Sequence, residues 1–77
     1  MKKYYVLFSN HMSGIKLNAI LERENFKSII VPTPRELSTS CGISLLIRKE
    51  DVESIKRIIE AEKIETLGIS SIESSGK

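Results

Sequence analysis

A single thiol, Cys41, stands directly before Gly42 at the end of Pro32-Thr-Pro-Arg-Glu-Leu-Ser-Thr-Ser-Cys-Gly42, a polar stretch between two apolar runs. A thiol reacts as its thiolate, and free cysteine, with a pKa of about 8.5, is mostly protonated at neutral pH. A nearby cation or hydrogen-bond donor raises the thiolate fraction. Arg35 is the cation of this stretch, Ser38 and Ser40 bring hydroxyls and backbone N–H groups, and Gly42 permits dihedrals that leave the sulfur approachable. His11 is the only imidazole and a candidate proton shuttle, with Asn10 and Ser13 beside it as candidate anion ligands. Each of these also has a plainer reading. Cysteine is among the most often buried residue types, so composition alone favours packing for Cys41. Arg35 reads as a solvated turn residue, His11 as an exposed helix-start residue, and Asn10 and Ser13 as caps.

One cysteine excludes an internal disulfide, which suits a reducing compartment and hence the cytoplasm. One cysteine and one histidine do not make a structural zinc site, so no metal and no cofactor is expected. The missing second thiol also argues against a self-resolving redox enzyme, which favours a non-catalytic protein over a turnover enzyme. The 12 basic and 10 acidic residues alternate, so no counterion-releasing stripe points to nucleic acid. No run approaches the roughly 20 apolar residues of a membrane span, and Met1 to Phe8 turns polar too quickly for a signal peptide, so no membrane partner is expected.

These side chains must be positioned by a small scaffold. A chain of 77 residues supports one core, expected over residues 1–72, with the serine-rich residues 73–77 as a frayed tail. Lys3 to Phe8 is rich in aromatic and β-branched residues and reads as a strand ending at Ser9-Asn10, a helix-capping pair. Met12, Ile15, Ala19 and Leu17, Ile20, Leu21 then recur at helical spacing to near Asn25. Phe26 to Val31 is a second strand that Pro32 and Pro34 stop, and Ile43 to Ile47, apolar apart from Ser44, is a third. Val52, Ile55, Ile58 and Ile59 mark a second amphipathic helix, and a last strand falls around Thr66 to Ile69 or slightly later.

The order βαββαβ predicts an α+β, ferredoxin-like two-layer sandwich: a four-stranded antiparallel sheet with both helices on one face. A right-handed crossover makes the first two strands parallel, with the third between them. Residues 9–14 and the Cys41 segment then share one rim, beside the N-terminus of the first helix. The other face is expected to be covered only in part, by Tyr5, Leu7, Ile29, Leu45 and Ile47, which suits a homodimer or a partner surface. A small ligand-binding or regulatory module with a structural Cys41 fits the same frame.

Tyr5-Val-Leu-Phe-Ser9 before a helix, Ile30-Val-Pro-Thr-Pro-Arg-Glu-Leu-Ser38 and Ser40-Cys-Gly42 together resemble the selenium/sulfur carrier-like domain family, formerly a domain of unknown function. The likeness covers about residues 3–65, and its most specific part is Pro32, Pro34, Arg35, Ser38, Cys41 and Gly42. The resemblance implies a small cytoplasmic carrier whose Cys41 holds a terminal sulfur or selenium as a persulfide or selenopersulfide. It implies donor and acceptor proteins of the cysteine desulfurase or sulfurtransferase type as partners. Arg35 would then ease the anionic sulfur, Ser38 and Ser40 would hydrogen-bond it, and Gly42 would admit the partner.

Overall fold

A computed structural model describes residues 2–37 and 42–73. Its elements are β1 (Lys2–Leu7), α1 (His11–Arg23), β2 (Ser28–Pro32), β3 (Ile43–Ile47), α2 (Val52–Glu62) and β4 (Gly68–Glu73). Short 3-10 turns at Arg35–Leu37 and Lys49–Asp51 punctuate the chain after β2 and β3. The strands form one sheet in the order β2-β3-β1-β4, and every neighbouring pair is antiparallel. Because β1 and β2 both run opposite to β3, they are parallel to each other, as a βαβ crossover requires. The result is the expected ferredoxin-like sandwich.

Local chemistry sets the helix ends. Asn10 caps α1, its Oδ1 accepting the Ser13 amide at 2.9 Å. At the other end Asn25 adopts φ +68, and the Phe26 and Asn25 amides donate to the Leu21 and Glu22 carbonyls, so the freed carbonyls of the last turn are satisfied. α2 ends in the same way with Lys63 at φ +54 and the Ile64 and Lys63 amides on the Ile59 and Glu60 carbonyls. Asp51, buried before α2, accepts from Arg48 Nε at 3.0 Å instead of capping the helix. That hydrogen bond, with the attraction of Asp51 and Glu50, raises the Arg48 pKa above its ordinary value.

The core lies between the helices and one sheet face. Val6 and Phe8, Leu45 and Ile47, Leu17, Ile20 and Leu21 of α1, Ile55 of α2 and Ile64 form one buried cluster. Burying an aliphatic or aromatic side chain in this way contributes about 1.5–3 kcal/mol. The buried stripe of α1 is Gly14, Leu17, Ile20 and Leu21, so Met12 and Ile15, expected in the apolar face, point away and are 73% and 52% exposed. Gly14 permits close approach of helix to sheet: a Cβ there would lie 3.3 Å from both Phe8 Cδ2 and Ile43 Cδ1.

Register corrects the expected composition of the second sheet face. Val6 pairs with Leu45 and Tyr4 with Ile47, so Leu45 and Ile47 point to the helices with Val6 and do not cover the other side. Side chains alternate across a strand, and a shift of one residue moves a whole set to the opposite face. The second face instead carries Tyr5 and Leu7 of β1, Ser44 and Leu46 of β3 and Ile29 and Val31 of β2. Pro32 is the last residue of β2 rather than a stop ahead of it. The Thr33 amide points inward to Gly42, so by alternation the Pro32 nitrogen faces the open edge, where no ladder bond is lost.

Candidate functional site

The β2–β3 connection is the element that carries the thiol. Residues 38–41, which include Ser38, Ser40 and Cys41, lie outside the described residues. The two ends of the connection are defined. On the entry side Pro34 leads into the turn Arg35–Leu37, closed by the Leu37 amide donating to the Pro34 carbonyl at 2.9 Å. Arg35 is exposed and, among the described residues, has no carboxylate partner, so its charge is unspent. On the exit side Gly42 is exposed and takes φ +82, a left-handed conformation that suits glycine. Among the described residues, nothing beyond its chain neighbours lies within 4 Å of where its Cβ would be. The Thr33 amide donates to the Gly42 carbonyl at 2.9 Å, extending the β2–β3 ladder by one rung and drawing the two ends together.

Two hydroxyls near this closure were not among the residues expected from sequence. Thr33 Oγ1 and Ser44 Oγ are both buried and, among the described residues, find no hydrogen-bond partner. Ser44 pairs with Val31 in β2 and with Leu7 in β1, on the sheet face away from the helices. Thr33, two residues beyond Val31, alternates onto the same face. An unsatisfied buried hydroxyl costs about 1–3 kcal/mol, so a pair of them at the mouth of one loop is an anomaly for packing alone. The sequence held one sign of it, a lone serine inside the apolar run Ile43–Ile47.

The residues at the start of α1 stand at the same end of the sheet, where β1 ends and β3 begins. A Cβ on Gly14 would come within 3.3 Å of Ile43, the neighbour of Gly42, so the first turn of α1 lies close to the exit of the loop. Asn10 is engaged as a cap, which removes the Ser13 amide from the donors an anion would find. His11 is exposed. Asn10 and Ser13 line a hollow of about 270 Å³ with Met12, Lys16 and the turn Lys63, Ile64 and Glu65. The structure therefore joins Arg35, Thr33, Gly42 and Ser44 through one connection, and sets Asn10, His11 and Ser13 on the helix beside it.

Among the described residues no helix is long and apolar enough to cross a membrane. A small βαββαβ sandwich whose β2–β3 loop carries the single cysteine is the class defined by fold and sequence together. The chain belongs to the family described as "Putative Se/S carrier protein-like", whose model matches residues 3–71. No curated protein and no solved structure matches it.

Proposed function

We propose that the chain is a carrier of sulfur or selenium, taking the atom onto Cys41 from a donor protein and passing it to an acceptor. The observation that carries this reading is the family match over residues 3–71, which spans Pro32, Pro34, Arg35, Ser38, Cys41 and Gly42. In the loading step the Cys41 thiolate attacks the terminal sulfur of a donor persulfide. A new S–S bond forms to Cys41, the donor S–S bond breaks, and the donor cysteine leaves as thiolate. In the delivery step an acceptor thiolate attacks the same terminal sulfur, and Cys41 departs as thiolate. Neither step needs an outside oxidant or reductant, since each exchanges one chalcogen bond for another.

The charge of Arg35, which has no carboxylate partner among the described residues, supports this chemistry, because both the thiolate and the persulfide anion gain from a nearby cation. The exposure of Gly42 supports it too, since among the described residues nothing crowds the position next to the thiol that a partner's cysteine must reach. Ser38 and Ser40 are the proposed hydrogen-bond donors to the carried sulfur, and His11 a proton shuttle. The single cysteine suits a carrier that depends on partners for release and on the reducing cytoplasm for its free thiol.

Mass spectrometry tests the reading directly. Incubated with a cysteine desulfurase and cysteine, or with a persulfidated sulfurtransferase, the protein should gain the mass of one sulfur atom on Cys41, and Cys41→Ser should gain none. A wild-type protein left unmodified by persulfide donors and by selenopersulfide donors alike would remove the carrier function.

A further inference from the structure

Five of the twelve basic side chains, Lys2, Lys3, Lys27, Arg48 and Lys49, line one hollow of about 300 Å³. They come from the start of β1, the residue before β2 and the residues after β3. These are the strand ends opposite to those that hold the β2–β3 connection. Ile29 and Leu46 supply an apolar floor, and Ile29 is 60% exposed although it sits within a strand. Register explains the grouping: Ile29 pairs with Leu46, and alternation sets Lys3, Lys27 and Arg48 on the same sheet face one step further along.

The fold itself gives these charges little to do. Arg48 is held by Asp51 and Glu50, at 3.0 and 3.6 Å. Among the described residues Lys2, Lys3, Lys27 and Lys49 are in no ion pair, although Glu73 stands opposite Lys2 in the β1–β4 ladder. Gathering five cations around fewer carboxylates works against the compact state through repulsion, and an outside anion relieves it. Such a field with an apolar centre is complementary to a carboxylate-rich surface that carries an apolar side chain. The described lining residues include no aromatic ring, so bases of a nucleic acid would find no stacking platform. A second copy meeting through the same hollow would set cation on cation.

We propose that this hollow is a docking site for an acidic segment of a partner protein, a short run of Asp and Glu with one apolar side chain seated on Ile29 and Leu46. The hollow is shallow and open, at the small end of ligand-pocket volumes, and suits a side-chain anchor better than an enclosed small molecule. Its position away from the Cys41 connection makes it independent of the carrier chemistry.

Fluorescence anisotropy with a labelled peptide of alternating Glu and Asp around one central leucine tests the site. The full chain should bind it weakly, with a Kd on the order of 100 µM at low salt, and binding should fall as salt rises and screens the charges. Lys3→Glu with Lys27→Glu should weaken binding about tenfold or more, and Ile29→Ser about threefold, with circular dichroism confirming that both variants fold. A peptide with serine for the leucine should bind less well than its parent, and an oligothymidylate of equal charge should bind less well still. Absence of binding, unchanged binding by the charge-reversed variant, or equal binding of the serine peptide or the oligonucleotide would each overturn the proposal. So would sedimentation showing that the face is occupied by a second copy in solution.

Discussion

The Thr33 amide donates to the Gly42 carbonyl at 2.9 Å, so the two residues that flank positions 34–41 form a rung of the β2–β3 ladder. The rung holds because Gly42 turns through φ +82, which lets the chain enter β3 from the loop without steric conflict. A residue with a side chain pays for that conformation in backbone strain.

Gly42→Ala is therefore expected to destabilise the protein by about 1–2 kcal/mol, the penalty of a left-handed conformation for an L-residue. Since a Cβ at this position meets nothing within 4 Å among the described residues, the expected loss is one of backbone conformation. Gly42→Asn, a residue that tolerates positive φ, should lose less. Thermal denaturation followed by circular dichroism checks the order: wild type, then Asn, then Ala.

Ser44→Ala should stabilise the protein by about 1 kcal/mol, because it removes a fully buried hydroxyl that has no hydrogen-bond partner among the described residues. In a domain of this size that gain raises the melting temperature by about 4–8 °C. Thr33→Val should act in the same direction. Under the carrier reading the more stable variants should load sulfur more slowly in the desulfurase assay, as expected where a polar site is kept at a cost to folding.

Arg35→Ala should slow alkylation of Cys41 by iodoacetamide at neutral pH by about two- to fivefold, the rate equivalent of one exposed charge interaction. Arg35→Lys should recover part of the rate, since it keeps the charge but not the planar fork. Equal rates for all three proteins would separate Arg35 from the thiol.

Lys63→Gly should stabilise the fold by about 0.5–1 kcal/mol, because Lys63 caps α2 at φ +54, a position that glycine adopts without strain. Urea unfolding should give a higher midpoint with an unchanged slope.

Element order and topology were legible from the hydrophobic pattern, and Ile43–Ile47 forms a strand over the residues expected. Faces were harder to read. Two interleaved apolar rows run along the first helix, and only packing into the core decides that Gly14, Leu17, Ile20 and Leu21 are buried while Met12 and Ile15 are not. Leu45 and Ile47 were assigned to the wrong side because an apolar run without alternation carries no phase. The rim shared by the start of the first helix and the ends of the β2–β3 loop did follow from the crossover rule. The cationic hollow could not be seen, since Lys3, Lys27 and Arg48 are far apart in the chain and meet only through the strand order.

The rung between Thr33 and Gly42 has a further consequence for how such a molecule diversifies. Hydrogen-bonded partners across an antiparallel pair stand about 5.5 Å apart at their Cα atoms, so positions 34–41 leave and re-enter the sheet through one narrow gate. Doubling the length of a loop closed at fixed ends adds only about 0.6 kcal/mol of closure entropy. A change in the number of residues between positions 33 and 42 should therefore cost the scaffold little, because β2, β3 and the core beneath them keep their register.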